Sequence, residues 1–421
     1  MQAIIIAAGE SSRFWPLNRK HKCQTRVLGK SLIYWTIREF SEKGIKEIIV
    51  ASAPDSNLEK ELSVDAVNLG VIISFIAIEK PLGTGDAIFR AKDLIKGPFF
   101  VAWPYKINIG GVIDAVLEKQ KPKSQPVLIC QPTENPEDFG ILRFEEEKVV
   151  EIQENPSLNE ASSDVKVSGI YFLEPDFFDH YQSLSEHHPE DFVDALNVYL
   201  KIREVIFIVW EKPLSSLKYP WELLGLSREM LFSGKLENSI SPKAQIGENV
   251  VIEGIISIGD NTIIGDNTVI KGPCFIGEGC KIGASNVIRG PVNLEDDIIT
   301  GAFFEIKNSV IQKGSHFHSG YVGDSVIGKN CRFGAGFITA NRRIDRANVK
   351  SVVKGKKTDT GLDCLGVMTG DESRFGIHSG TMPGVLIGRN CTVGPGTFVF
   401  ENLENNTSFF SEFKGIKKKN D

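Results

Sequence analysis

The chain has 421 residues, 41% hydrophobic and 24% charged, enough for a large core and longer than most single domains, so two domains are expected. A formal net charge of -6 supplies no broad basic surface for a phosphate backbone, which excludes nucleic acid as the expected partner. Seven cysteines, an odd number with no Cys-x-x-Cys pair, fit a reducing compartment. With neither a signal-peptide pattern nor an apolar run of spanning length, this predicts a cytoplasmic protein with no membrane role.

In chain order, strand-like runs at Gln2–Ala8, Glu47–Ala51, Val71–Ile78 and Phe99–Trp103 alternate with helical patterns. In Ser31–Lys43, for instance, Ile33, Ile37 and Phe40 share one face. That alternation predicts an α/β, Rossmann-like domain with a mostly parallel sheet over residues 1–232. Its first strand runs into Gly9-Glu10-Ser11-Ser12-Arg13, where small residues, backbone N–H groups and a guanidinium would gather at the carboxyl end of the sheet. Triphosphate binding and an ordinary tight turn both fit that composition. A polar stretch at Leu214–Gly234 reads as a linker helix region.

After it the pattern changes. Residues 1–239 hold 13 glycines and residues 240–421 hold 27. Ile240, Ile246, Ile252, Ile258, Ile264, Ile270, Ile276, Ile282 and Ile288 form an unbroken six-residue period. Each hexad is one short strand and a turn, three hexads close a triangular coil, and the isoleucines stack inside. A β-sandwich would show period two and uneven spacing instead. Residues 233–421 are therefore predicted to form an all-β parallel β-helix of hexapeptide repeats. The register blurs after Leu294 and returns at Ile327-Gly328, Phe333-Gly334, Ile387-Gly388 and Val393-Gly394, with an irregular polar insertion from about Arg342 to Gly370. After the blur, His316 and His318 lie near a glycine turn; one could serve as a base, an ordinary surface pair is equally open, and no third ligand completes a zinc site.

The segment Ala7-Ala8-Gly9-Glu10-Ser11-Ser12-Arg13-Phe14-Trp15-Pro16-Leu17 resembles the opening signature of sugar-1-phosphate nucleotidyltransferases. Lys22, Leu82-Gly83-Thr84-Gly85-Asp86-Ala87, Gly140, Glu154 and Gly169-Ile170-Tyr171 match further family positions in order. The resemblance implies that Arg13 and Lys22 act on the phosphates of a nucleoside triphosphate, that Gly9 and Gly83 line the nucleotide, and that Gly140, Glu154 and Gly169 line the sugar 1-phosphate. The family reaction is attack of a sugar phosphate on an α-phosphate, helped by cations including Mg²⁺. Here the sequence departs. Tyr105 stands where relatives place the Mg²⁺-binding Asp, and Ser227 where they place Asn or Asp, leaving Glu222 as a possible substitute ligand. Asn155 interrupts the family's Glu-Lys-Pro, and Val167 replaces its asparagine. The metal ligands are thus undetermined, and a weakened or inactive nucleotidyltransferase is expected.

From Phe304 to Asn341 the chain resembles the acetyltransferase half of bifunctional enzymes that acetylate glucosamine 1-phosphate and then uridylylate it. The resemblance implies a left-handed β-helix and acetyl-CoA as donor. It implies His318 as the base on the sugar amine, and Arg289, Lys307, Tyr321 and Asn341 as the residues that hold the phosphate and orient the amine. It also implies a homotrimer with the site between neighbouring helices. Arg332 stands where relatives have Asn, an extra cation that would favour a different acceptor.

Three functions remain in view. The first is acetyl-CoA-dependent N-acetylation of an amino-sugar 1-phosphate beside a weakened nucleotidyltransferase. The others are a working nucleotidyltransferase whose β-helix serves assembly, and a non-catalytic sugar-nucleotide scaffold or sensor.

Overall fold

The apolar run at the N-terminus becomes the strand Gln2–Ala7, buried at every residue, as a central strand covered on both faces must be. In the computed structural model, which describes residues 1–54, 57–80, 82–120 and 124–418, it lies inside a mixed sheet. The order across that sheet is Ile206–Val209, Val127–Pro132, Val165–Leu173, Phe99–Ala102, Gln2–Ala7, Glu47–Ser52 and Ile72–Ala77. Only Val165–Leu173 runs antiparallel to its two neighbours on this path. Gly140–Glu145 and Lys148–Glu154 form a hairpin off the path. The helix Leu32–Glu42 buries Ile33, Ile37 and Phe40, the stripe its spacing predicts. The stretch read as a linker helix region holds the helix Glu222–Phe232, which packs, burying Leu223, Leu224, Leu226, Met230 and Leu231. Its apolar residues recur at helical spacing, and burying them outweighs the polar residues around them.

Three parallel sheets of eight, nine and eight strands form the β-helix, which is left-handed. Ile258, Ile264, Ile270, Ile276, Ile282 and Ile288 line its interior. Ile240 and Ile246, on the terminal coil with no rung beyond them, stay exposed. The blur after Leu294 has a simple cause. Ile276 pairs with Leu294, 18 residues on, but Leu294 pairs with Ile311 and Ile311 with Ile327, so successive coils shorten to 17 and then 16 residues. Where the coils shorten, phenylalanine takes over the interior: Phe317, Phe333 and Phe375 stack with ring centroids 4.5 and 4.6 Å apart.

The insertion is more regular than expected. Lys350–Val353 pairs antiparallel with Lys356–Asp359 around Lys354 and Gly355, both at positive φ, the hairpin turn that matches strand twist. The coil then resumes, with Met368–Thr369 pairing to Val326–Ile327. By contact the chain divides into two compact units, one of Met1–Glu10, Cys23–Thr25 and Ser31–Ser216, the other of Ser11–Lys22, Arg26–Lys30 and the chain from Leu217 onward. No helix among the described residues is long and apolar enough to cross a membrane.

Candidate functional site

In the first unit, Gly140 and Glu154 are register partners across the hairpin. A Cβ on Gly140 would sit 2.7 Å from Glu154 Oε2 and 3.1 Å from Val167 Cγ2, so glycine is what lets this carboxylate lie flat against the strand. The Glu154 carboxyl is raised above the ordinary range, first by desolvation and then by the like charge of Glu190. Gly169, at φ +67°, lies where the pairing of Val165–Leu173 with Val127–Pro132 shifts register, and a Cβ there would be 3.1 Å from the Trp103 ring. Trp103 in turn packs on buried Tyr171, with centroids 6.0 Å apart. Tyr171 links the two places, since it packs on Trp103 and also feels the charge of Glu154. At Gly83 a Cβ would collide with the carbonyl of Pro189, whereas Gly9 has open space around it and is exposed. Tyr105 is only 8% exposed.

In the second unit, Arg13 is exposed in the short turn Ser12–Phe14, and Lys22 Nζ donates to the carbonyl of Leu217. The Glu222 carboxylate accepts backbone N–H groups from Lys218 and from Tyr219, the latter at 3.1 Å, at the start of its own helix. Burial raises its pKa, the two backbone hydrogen bonds and Lys22 opposing. Glu222 is thus engaged as a helix-terminal acceptor. Ser227 is buried. Among the described residues no group of three or more His, Cys, Asp or Glu is placed to hold a metal ion. At the positions that the resemblance assigns to Mg²⁺, buried Tyr105 and Ser227 offer a phenol and a hydroxyl in place of carboxylates, a poor match to a hard cation.

The β-helix is richer. In one sheet, parallel pairing sets Lys271, Arg289 and Lys307 on successive rungs, and Glu305 beside Tyr321. Their side chains alternate with the buried Ile288, Ile306 and Val322, so all point outward from one face. Arg289 pairs with Glu305, and Lys307 Nζ lies 3.3 Å from Asp324 Oδ2. Asn341 Nδ2 donates to the Tyr321 hydroxyl at 3.1 Å and to Asp324 Oδ2, while Asn308 Nδ2 donates to Asp324 Oδ1 at 2.6 Å. Gly323 must be glycine, since a Cβ would strike the Tyr321 hydroxyl. Burial, then Asp324 and Glu305, raise the Tyr321 pKa, so this phenol stays protonated and able to donate.

His318 sits at the corner between the strands His316–Phe317 and Gly320–Gly323, exposed, its backbone N–H donated to Phe333 and its imidazole without a partner among the described residues. His316 faces Arg332 on the next rung, and burial followed by that guanidinium lowers its pKa. Arg332 itself folds back onto the carbonyls of Gly314 and Cys331 at 2.7 and 3.1 Å. The four positions that the resemblance assigns to the sugar phosphate are thus brought together, and the structure adds Glu305, Asn308 and Asp324, which sequence reading missed. Only the alternation in Glu305-Ile306-Lys307 hinted that Glu305 shares their face.

A nucleotidyl transferase family model matches residues 2–208, a bacterial transferase hexapeptide model of six repeats matches 255–290, and a model of the hexapeptide repeat of succinyl-transferase matches 366–401. Over its whole length the chain is 33% identical to the bifunctional protein GlmU of Methanocaldococcus jannaschii, across 424 aligned residues that cover all of both chains. It is 33% identical to that of Methanococcus maripaludis, again with full coverage of both. To the bifunctional sugar-1-phosphate nucleotidylyltransferase/acetyltransferase of Sulfurisphaera tokodaii it is 32% identical, over 95% of this chain and 97% of that one. A nucleotidyl-transferase fold followed by a hexapeptide β-helix, matched end to end by such relatives, makes this chain a transferase that belongs to the bifunctional GlmU family.

Proposed function

We propose that the β-helix, residues 233–421, transfers an acetyl group from acetyl-CoA to the amine of an amino-sugar 1-phosphate. The observation that carries this reading is the convergence of Arg289, Lys307, Tyr321 and Asn341 on one face, next to the corner that exposes His318. Two cations and a phenolic donor suit a dianionic phosphate. In the reaction the amine nitrogen attacks the thioester carbonyl, the C–S bond breaks, the coenzyme leaves as thiolate, and His318 takes the amine proton and returns it to the sulfur. His318 is exposed at its corner, so a second copy laid against it would close the site, and we read the active form as a homotrimer with acetyl-CoA in the gap. The reducing-compartment reading of the seven free cysteines supports the cytoplasm.

The α/β domain, residues 1–232, we read as a nucleotidyltransferase weakened or inactive in this chain. Tyr105 is buried where the family aspartate stands, and Glu222 is engaged by backbone N–H groups. Arg13 and Lys22 for the triphosphate, Gly9 and Gly83 for the nucleotide, and Gly140, Glu154 and Gly169 for the sugar remain its candidate contacts. The intact steric logic at Gly83, Gly140 and Gly169 favours a second reading in which nucleotidyl transfer still runs. Release of pyrophosphate from a nucleoside triphosphate panel with sugar 1-phosphate and Mg²⁺ decides between them. Turnover at ordinary enzyme rates, roughly 1–1,000 per second, overturns the weakened-domain reading. Tight nucleotide-sugar binding with neither activity would point to a non-catalytic sensor.

A further inference from the structure

We infer that Asp324 is a positioning residue that fixes the hydrogen-bond polarity of the acetyl-transfer site; this rests on the acetyl-transfer reading above. Asp324 is 2% exposed and sits at φ +51°, a left-handed corner conformation that Asn308 and other corner residues of the β-helix share. Both carboxylate oxygens are used, and every group that meets them is a donor: Asn308 Nδ2 on Oδ1, Lys307 Nζ and Asn341 Nδ2 on Oδ2.

An ionised carboxylate only accepts hydrogen bonds, so it dictates which end of the Asn341 amide points inward. Nδ2 must face Asp324, and Oδ1 is left as the acceptor available to a substrate N–H. The same Nδ2 donates to the Tyr321 oxygen, which turns the phenolic proton away from Asn341 and toward whatever lies over the face. One buried charge thus holds Lys307 and sets two polarities: Asn341 presents an acceptor, and Tyr321 presents a donor. An acceptor suits an amine, and a donor beside Arg289 and Lys307 suits a phosphate.

The two ion pairs of the face also differ in kind. Arg289 and Glu305 are partly exposed, so incoming phosphate can compete for the guanidinium. Asp324 is enclosed, and its pair with Lys307 persists as part of the frame.

The test uses the full chain with glucosamine 1-phosphate and acetyl-CoA. Asp324→Asn keeps the shape but sets an amide NH₂ against donors, and kcat for acetyl transfer is expected to fall at least fivefold. The reciprocal exchange, Asp324→Asn with Asn341→Asp, restores one acceptor and one donor across the contact and is expected to recover at least threefold. A smaller loss in the single variant, or a smaller recovery in the double, overturns the inference, because a residue that merely fills space gains nothing from exchanged polarity. Should Asp324→Asn fail to fold, Asn341→Leu decides. It is expected to lower kcat at least fivefold while leaving inhibition by glucose 1-phosphate, which lacks the amine, within twofold of wild type; any other result overturns the inference. Wild-type protein that performs no acetyl transfer refutes the underlying reading as well, whereas active wild type with an unaffected Asp324→Asn refutes only the role of Asp324.

Discussion

The α/β region and the β-helix keep their family resemblance in different ways. In the first, the matched positions with a clear steric reason are glycines: Gly83 against Pro189, Gly140 against Glu154, Gly169 against Trp103. On the reading proposed above, the expected metal ligands are the ones that change: Tyr105 is buried, and Glu222 Oε2 accepts backbone N–H groups. In the β-helix the charged and polar groups are the ones that meet, each held by a partner on an adjacent rung. On the proposed reading, steric fit keeps a pocket shape in the α/β region, and a hydrogen-bonded set of cations, acceptors and a phenol keeps a chemistry in the β-helix.

The contrast can be broken most sharply at His318. His318→Ala is expected to lower acetyl transfer by about 10²–10⁴-fold, the range for losing a general base, with pyrophosphate release unchanged. Equal acetyl transfer in mutant and wild type would remove His318 from the chemistry. Lys307→Ala should raise the KM for the sugar phosphate about tenfold or more, since a hydrogen bond to a charged group contributes roughly 1.5–3 kcal/mol. Steady-state kinetics checks it, and an unchanged KM places the phosphate elsewhere.

In the α/β region the expected effects are on stability. Gly169→Ala adds a Cβ 3.1 Å from the Trp103 ring at φ +67°, and denaturant unfolding should show a loss on the order of 1–3 kcal/mol. No loss would mean that the strand shifts freely there.

A smaller, pH-dependent effect belongs to Glu295, which is fully buried in the β-helix, its Oε1 accepting from Asn293 at 2.9 Å and from Gly29 N–H at 3.3 Å, and its Oε2 ion-paired with Arg26 at 3.5 Å. Desolvation is the main cause that pushes its pKa up to about 7, with Asn293, Arg26 and the Gly29 N–H opposing. A carboxyl raised above its unfolded value near 4.5 stabilises the fold fully below that value. The contribution is lost as pH rises toward and through 7. Glu295→Gln should therefore flatten the stability profile between about pH 4.5 and 7, and thermal melts across that window check it. A mutant profile as steep as wild type would assign the slope to other groups.

Much of this was legible in the sequence, and for a physical reason. Nine isoleucines six apart leave one architecture that can bury them all, and the stripe of Ile33, Ile37 and Phe40 leaves one face for its helix. The shortened coils were not legible, because removing one residue at a corner shifts the register without changing composition; only the strand pairing shows that Leu294 meets Ile311. The hairpin in the insertion was legible in principle from Lys354-Gly355 between two valines and two lysines. Asp324 was hidden for a deeper reason. Its partners Lys307, Asn308 and Asn341 lie 16 or 17 positions away and become neighbours only once coils of that length are stacked. Glu222 carries two readings, since an acidic residue near an expected metal position is also what the start of a helix prefers, and its Oε2 takes backbone N–H groups there.

The central claim is that the β-helix carries the better preserved chemistry, and one experiment meets it directly. Full-length protein is supplied with glucosamine 1-phosphate, acetyl-CoA, a nucleoside triphosphate panel and Mg²⁺, and free thiol and pyrophosphate are followed in the same sample. The prediction is thiol release that requires the amino sugar and is abolished by His318→Ala, with pyrophosphate release far slower or absent. Rapid pyrophosphate release with no sugar-dependent thiol release would contradict it.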